Sequence, residues 1–176
     1  QGCALAAQQE IIKCTICMPD NAPISKIEAT KSYGAEVCLA EGAYDDAYAL
    51  ACKMAKEKGY TFVHPYDDED VIAGQGTIGL EILESLDTVD AIVVPIGGGG
   101  LISGVAFAAK SMKPSIKIYG VQAENAASMY NSIKKGEQIT LDKVNTFADG
   151  IAVKHPGDTT FKMVQKYVDE VVTVSE

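Results

Sequence analysis

Positive charge is scarce in this chain. Fifteen lysine and arginine residues stand against 24 aspartates and glutamates, a formal charge of −9 over 176 residues. The basic residues are scattered, which excludes a nucleic-acid groove or an anionic-membrane surface built on general charge. Histidine is nearly absent: only His64 and His155 occur, each before a proline in turn-like sequence. Neither has a glutamate or cysteine at metal-ligand spacing, so no zinc site is expected and both are taken as structural. The G-x-S-x-G of a hydrolase elbow is missing, because Gly100-Leu101-Ile102-Ser103-Gly104 has one residue too many before its serine.

The five cysteines, Cys3, Cys14, Cys17, Cys38 and Cys52, are odd in number and follow no secretory pattern. Reduced thiols in a cytosolic compartment are therefore expected. Cys14 and Cys17 form a C-x-x-C without a second such pair, inside the apolar run Cys14-Thr15-Ile16-Cys17-Met18, and are expected as buried strand cysteines. One uncharged stretch, Ala91 to Ala109, is long enough for a bilayer, but Pro95 and four glycines interrupt its middle. A buried strand, a tight loop and a buried helix account for it better. With 47% hydrophobic and 22% charged residues the chain can build a core, which excludes disorder. At roughly 150 residues per domain, the length fits one domain or two small lobes. The chain begins without an initiator methionine or helix cap and ends on a strand-like run, so a segment of a longer protein is expected.

Short β-rich runs alternate with longer helical ones. Helices are predicted at 1–12, from Ser25 to about Tyr33 with Glu28 at the capping-box position, and at 45–58 closed by Gly59. Further helices are predicted from the acidic turn Asp67-Asp68-Glu69-Asp70 to Ser85, after the glycine run to Met112, and at 125–135 and 158–168. Strands are predicted at 14–18, 36–40, 60–63, 91–95, 116–121 and 170–174, that at 91–95 covered on both faces. This alternation implies an open α/β fold of two lobes with mainly parallel sheets, divided at the Pro65-to-Asp70 turn into 1–65 and 66–176.

The strongest chemical signal is Pro95-Ile96-Gly97-Gly98-Gly99-Gly100-Leu101. A strand empties into four glycines that open directly into a helix. Several backbone amides can then converge with the positive end of the helix on one phosphate or carboxylate, at the strand ends where open α/β sheets bind ligands. The loop contains no lysine or arginine, so backbone amides would do the holding. The alternative is a loop without side chains that permits close helix–sheet packing. A second glycine pattern, Gly74-Gln75-Gly76-Thr77-Ile78-Gly79, matches G-x-G-x-x-G. It lacks the preceding strand and following acidic residue of a dinucleotide site, and glycines for helix packing explain it better.

Taken together, Ala73-Gly74-Gln75-Gly76-Thr77, Pro95 through Leu101, Ala148-Asp149-Gly150, Tyr33-Gly34-Ala35-Glu36-Val37 and Val174-Ser175-Glu176 resemble the fold type II pyridoxal-phosphate enzymes. The resemblance is to the catabolic threonine/serine dehydratase group, with serine racemase close by, and runs essentially end to end. It implies that Gly97, Gly98, Gly99, Gly100 and Leu101 cradle the phosphate of pyridoxal 5'-phosphate, with Gly150 near the cofactor. It also implies an effector nucleotide bound between subunits of a homo-oligomer, dimer or tetramer, with Gln1 and Tyr33 matching positions near that site; Tyr33 also fits a lobe-packing tyrosine. The family's catalytic lysine, in Ser-x-Lys-x-Arg, and its substrate loop, Ser-Gly-Asn-His, would lie upstream of Gln1, and the residue bonding the pyridine nitrogen beyond Glu176. The racemase-type metal site would fall on Gln122, Ala126 and Ser128, so its two carboxylates are missing and no metal is expected. The implied reaction removes the α-proton of L-threonine or L-serine and expels the β-hydroxyl, with the cofactor phosphate as its acid, giving a 2-oxo acid and ammonia. A non-catalytic phosphate-binding fragment and an amino-acid racemase are the competing readings.

Overall fold

The computed structural model describes every residue except Ala43. The chain divides into two compact units, Gln1–Phe62 and Val63–Glu176.

In the first unit, β1 (Thr15–Pro19) and β2 (Glu36–Ala40) pair in parallel, Thr15 opposite Glu36 and Cys17 opposite Cys38. The helices are α1 (Gly2–Gln9), α2 (Ile24–Ser32) and α3 (Tyr44–Lys58). Gly34 and Gly59 follow α2 and α3 with φ of +79° and +67°, left-handed positions where a side chain would cost energy. Three expectations are corrected here. Pro23, not Ser25, precedes the first turn of α2, and Glu28 pairs with Lys31 at 3.1 Å instead of closing a capping box. Pro23 itself stands at the cap position, and no side chain caps the helix. No strand forms at 60–63, because that stretch meets no neighbouring strand among the described residues. Cys14 lies just ahead of β1 and both Cys14 and Cys17 are only half-buried. The Cys14 Sγ is 3.9 Å from that of Cys3, and burial, aided by Cys3, pushes its pKa up to about 11.

The second unit holds a parallel sheet in the order β3-β4-β5: β3 (Ala91–Pro95), β4 (Lys117–Ala123) and β5 (Glu170–Val174). Ala91 pairs with Lys117 and Tyr119 with Glu170. Its helices are α4 (Glu69–Ser85), α5 (Gly100–Met112), α6 (Ser128–Lys135) and α7 (Asp158–Tyr167). Ile92, Val94, Ile96, Ile102, Val105, Ile118, Met129 and Val164 form its core. Residues 1–176 by themselves cover one face of β3, leaving Val93, which points the other way, 64% exposed. The segment predicted as one helix over 125–135 splits into a 3-10 turn at Glu124–Ala126 and α6.

The G-x-G-x-x-G run lies in the middle of α4, where no ligand loop can form, and brings α4 against α5 backbone to backbone. A Cβ on Gly76 would sit 3.3 Å from the Gly104 carbonyl oxygen, and one on Gly79 would sit 2.9 Å from that of Val105. At the reciprocal position, a Cβ on Gly104 would overlap the Ile72 carbonyl oxygen and lie 2.6 Å from the Gly76 nitrogen. Helix packing is thus the use of these glycines.

Asp169 ties three elements together. Its carboxylate meets Lys110 Nζ of α5 at 2.7 Å and Lys117 Nζ of β4 at 3.0 Å, and accepts the Ile118 N–H at 2.9 Å. Chiefly through Lys110, and then Ile118, these donors hold its pKa well below the usual carboxylate range. A depressed carboxylate stabilises the fold above the unfolded-state pKa, about 4, and loses that contribution as pH falls below it. Asp169→Ala should cost about 1–2 kcal/mol at neutral pH, measured by urea unfolding, and the gap between variant and wild type should shrink in acid.

Candidate functional site

The β3 strand runs out at Pro95, and the last ladder bond is the Ile96 N–H to the Val121 carbonyl at 2.8 Å. Beyond it, an account of backbone groups is informative. Three carbonyls at the turn, those of Ile96, Gly98 and Gly99, are occupied. Ile96 O accepts Gln122 Nε2 at 3.1 Å, Gly98 O accepts Thr160 Oγ1 at 2.6 Å and the Gly157 N–H at 3.3 Å, and Gly99 O accepts the Ser103 N–H at 3.0 Å. The amides are not. The N–H groups of Gly97, Gly98, Gly99, Gly100, Leu101 and Ile102 meet no acceptor among the described residues. Gly98, Gly99, Gly100 and Ile102 are buried, Gly97 and Leu101 half-buried. A buried donor left unpaired costs about 1–3 kcal/mol, so six in succession at a helix start demand an acceptor from outside. Ser103 adds a buried hydroxyl without a partner.

An anion of phosphate size meets that demand, because successive amides and the positive end of α5 favour negative charge at one place. The chain contains no arginine to supply a guanidinium fork, so backbone donors are the phosphate-binding chemistry it has here. The residues present therefore fit a phosphorylated cofactor.

The glycines are required for packing as well. A Cβ on Gly98 would overlap the Tyr66 ring, one on Gly100 would lie 2.9 Å from the Tyr66 backbone, and one on Gly97 would lie 3.2 Å from Ile151 Cα and Val153 Cγ2. Gly99 has φ +101°, and its Cβ would sit 2.8 Å from both Met129 Cε and Thr160 Cβ. Glycine lets neighbours close in on the turn, and the amides of the turn meet no acceptor among the described residues.

Distant segments hold the turn. The Asp67 carboxylate accepts the N–H groups of Asp158 and Thr159 at 2.9 Å and of Thr160 at 3.0 Å, capping α7. Tyr66 donates from its hydroxyl to the His155 carbonyl at 3.3 Å. Asp68 caps α4 through the amides of Asp70 and Val71. The His155 ring Nδ1 lies 2.8 Å from Thr140 Oγ1.

The sequence-predicted positions distribute as follows. Gly97, Gly98, Gly99, Gly100 and Leu101 form the turn itself. Gly150 lies in a 3-10 turn, Asp149–Ile151, whose last residue packs on Gly97. Gln1 and Tyr33 belong to the first unit, where Gln1 is exposed ahead of α1 and Tyr33 is half-buried at the end of α2. Gln122 is fully buried with both ends of its amide used, the oxygen accepting the Tyr130 N–H at 2.8 Å, while Ser128 Oγ donates to the Val153 carbonyl at 3.1 Å. Among the described residues no three His, Cys, Asp or Glu side chains come together as metal ligands, and no helix is long and apolar enough to cross a membrane. Sequence reasoning missed Tyr66, Asp67, Gln122 and Thr160 as supports. Only Asp67, within its acidic run, carried a capping signal.

Comparison with known proteins places this geometry. Residues 1–176 match the family described as pyridoxal-phosphate dependent enzymes. The chain is 54% identical over 176 residues to an L-threonine ammonia-lyase of Thermotoga maritima, covering all of this chain and 44% of that protein. It is 50% identical to a catabolic L-threonine dehydratase of Staphylococcus aureus, covering 51% of it. Among solved structures, threonine deaminase isoform 2 from Solanum lycopersicum superposes with a TM-score of 0.93 at 42% identity, over 99% of this chain and 51% of that one. Maize serine racemase does so with 0.91 at 40%, over 98% and 52%. The chain thus spans about half the length, or less, of these relatives.

Substituting Gly99 with alanine forces a side chain into a left-handed backbone and into Met129 and Thr160. Gly99→Ala should destabilise the fold by about 2–4 kcal/mol, seen as a lower urea midpoint. An unchanged midpoint would contradict the packing described.

Proposed function

The chain belongs to the family of pyridoxal-phosphate dependent enzymes, and from that premise we propose that it is the central segment of an L-threonine/L-serine ammonia-lyase producing a 2-oxo acid and ammonia. The observation that carries this reading is the run of amides at 97–102 without acceptors. The names of the relatives support the substrate class.

In this reading the amides of Gly97, Gly98, Gly99, Gly100 and Leu101 bind the cofactor phosphate, and Gly150 lies beside the cofactor. When bound, pyridoxal 5'-phosphate supplies an electron sink for the carbanion left at the substrate α-carbon. The chain's own part is binding and orientation. Gln122 and Thr160 hold the carbonyls of the turn, so the amides remain directed to the anion. Close α4–α5 packing fixes where the helix start lies. Neutral amide donors hold the phosphate without lending it a proton. The lysine that binds the cofactor covalently, and with it proton transfer at the α-carbon, is assigned to sequence preceding Gln1.

Residues 1–65 are assigned to the small, mobile lobe and residues 66–176 to the cofactor-binding lobe. A nucleotide effector near Gln1 and Tyr33, assembly as a homo-oligomer, and a cytoplasmic location complete the proposal, on family resemblance. A racemase on the same scaffold is the second reading, favoured by the likeness to maize serine racemase. Against it stand Gln122 and Ser128, side chains that cannot supply the two carboxylates of a racemase-type metal site.

The full-length protein, given pyridoxal 5'-phosphate, should develop an absorbance band near the visible edge and release ammonia from L-threonine or L-serine. D-serine formed from L-serine without ammonia would replace the lyase by the racemase. Neither product would reject both enzymatic readings.

A further inference from the structure

The turn His64-Pro65-Tyr66-Asp67-Asp68 is organised around a ring nitrogen that the anion site does not touch. His64 Nδ1 accepts two backbone donors, the Asp67 N–H at 2.8 Å and the Tyr66 N–H at 3.2 Å. Pro65 has no N–H to contribute, and it holds His64 extended while presetting its own φ for a turn. The imidazole thus does what an Asn or Asp side chain does in an Asx turn: it replaces a missing backbone acceptor.

What the turn carries explains why its shape matters. Tyr66 occupies the space that side chains on Gly98 and Gly100 would need. Asp67, the next residue, accepts the first three amides of α7, through Thr160. Thr160 in turn donates to the Gly98 carbonyl at 2.6 Å. Two routes therefore lead from one lone pair to the glycine turn, one through the Tyr66 ring and one through the Asp67 cap.

We propose that His64 is a positioning residue for the anion cradle, its Nδ1 lone pair setting the 64–67 turn that places Tyr66 against the glycine turn and Asp67 on the start of α7. The proposal rests on the reading of residues 97–102 as an anion site. It requires the ring to be neutral with its proton on Nε2, since a protonated Nδ1 cannot accept. Burial favours the neutral ring, Asp67 and Asp68 pull toward the charged one, and the ring of Tyr66 packs edge-on with centroids 4.8 Å apart.

The test uses the full-length protein as wild type, His64→Asn and His64→Leu. Asparagine offers Oδ1 where Nδ1 stands; leucine offers no acceptor. Two quantities are read without substrate: the dissociation constant for pyridoxal 5'-phosphate, and hydrogen exchange of the amides at 158–160. His64→Leu should weaken cofactor binding roughly tenfold or more, about 1.4 kcal/mol, and speed exchange at 158–160. His64→Asn should stay near wild type in both. Leucine binding and exchanging like wild type, or asparagine falling as far as leucine, overturns the proposal. Should the leucine variant not fold, the ¹⁵N shifts of His64 in the wild type decide: an unprotonated Nδ1 supports the assignment and a protonated one refutes it. A wild type that binds no cofactor would sink the anion reading instead, and exchange at 158–160 would still report on the turn.

Discussion

One turn of backbone has the carbonyls of Ile96, Gly98 and Gly99 engaged while its amides meet no acceptor among the described residues, and the candidate site depends on that asymmetry. Peptide groups carry a donor and an acceptor each, and in a buried turn both normally find partners. Here Gln122, Thr160, Gly157 and Ser103 take the acceptors at Ile96, Gly98 and Gly99, while six donors in a row are left to an outside ligand. Burial without a partner is unfavourable, so convergent amide donors of this kind contribute affinity for an anion.

The surrounding architecture keeps that state from relaxing. If α5 could slide or tilt, its first amides would find water or carbonyl oxygens instead. Gly76, Gly79 and Gly104 let α4 and α5 approach until backbone meets backbone, leaving little room for such a shift. On the other flank, Asp67 satisfies the start of α7, which delivers Thr160 to the Gly98 carbonyl. Asp169 joins α5, β4 and β5 at the far end of the sheet. Function in this unit is a matter of placement. In the proposed reading the reacting groups lie elsewhere in the polypeptide, and the part of this segment is to bind and orient the cofactor.

Much of this was legible in the residues, for identifiable reasons. The β3–glycine–α5 passage is contiguous, so local pattern alone exposes it. The same holds for Gly34 and Gly59 after their helices, and for the parallel β1–β2 and β3–β4–β5 arrangement implied by strand–helix alternation. Other features depend on partners distant in sequence. Thr160 and Asp67 lie 62 and 31 residues from Gly98 along the chain, and nothing local to either marks the contact. Pro23 occupies the cap position where Ser25 was expected, and no side chain accepts the first amides of α2. Residues 60–63 have β-prone composition but no strand beside them, and a lone strand has no ladder to join. Val93 is exposed among residues 1–176, which span about half the length of the relatives, so this segment by itself covers one face of β3.

The central claim is that the amides of residues 97–102 are the donors to a bound phosphate. Amide proton and nitrogen shifts of the full-length protein, followed during titration with pyridoxal 5'-phosphate, test it most directly. Downfield shifts concentrated at Gly97 through Ile102, saturating with the cofactor, are the predicted result. A cofactor that binds while those six resonances stay where they were would contradict the account.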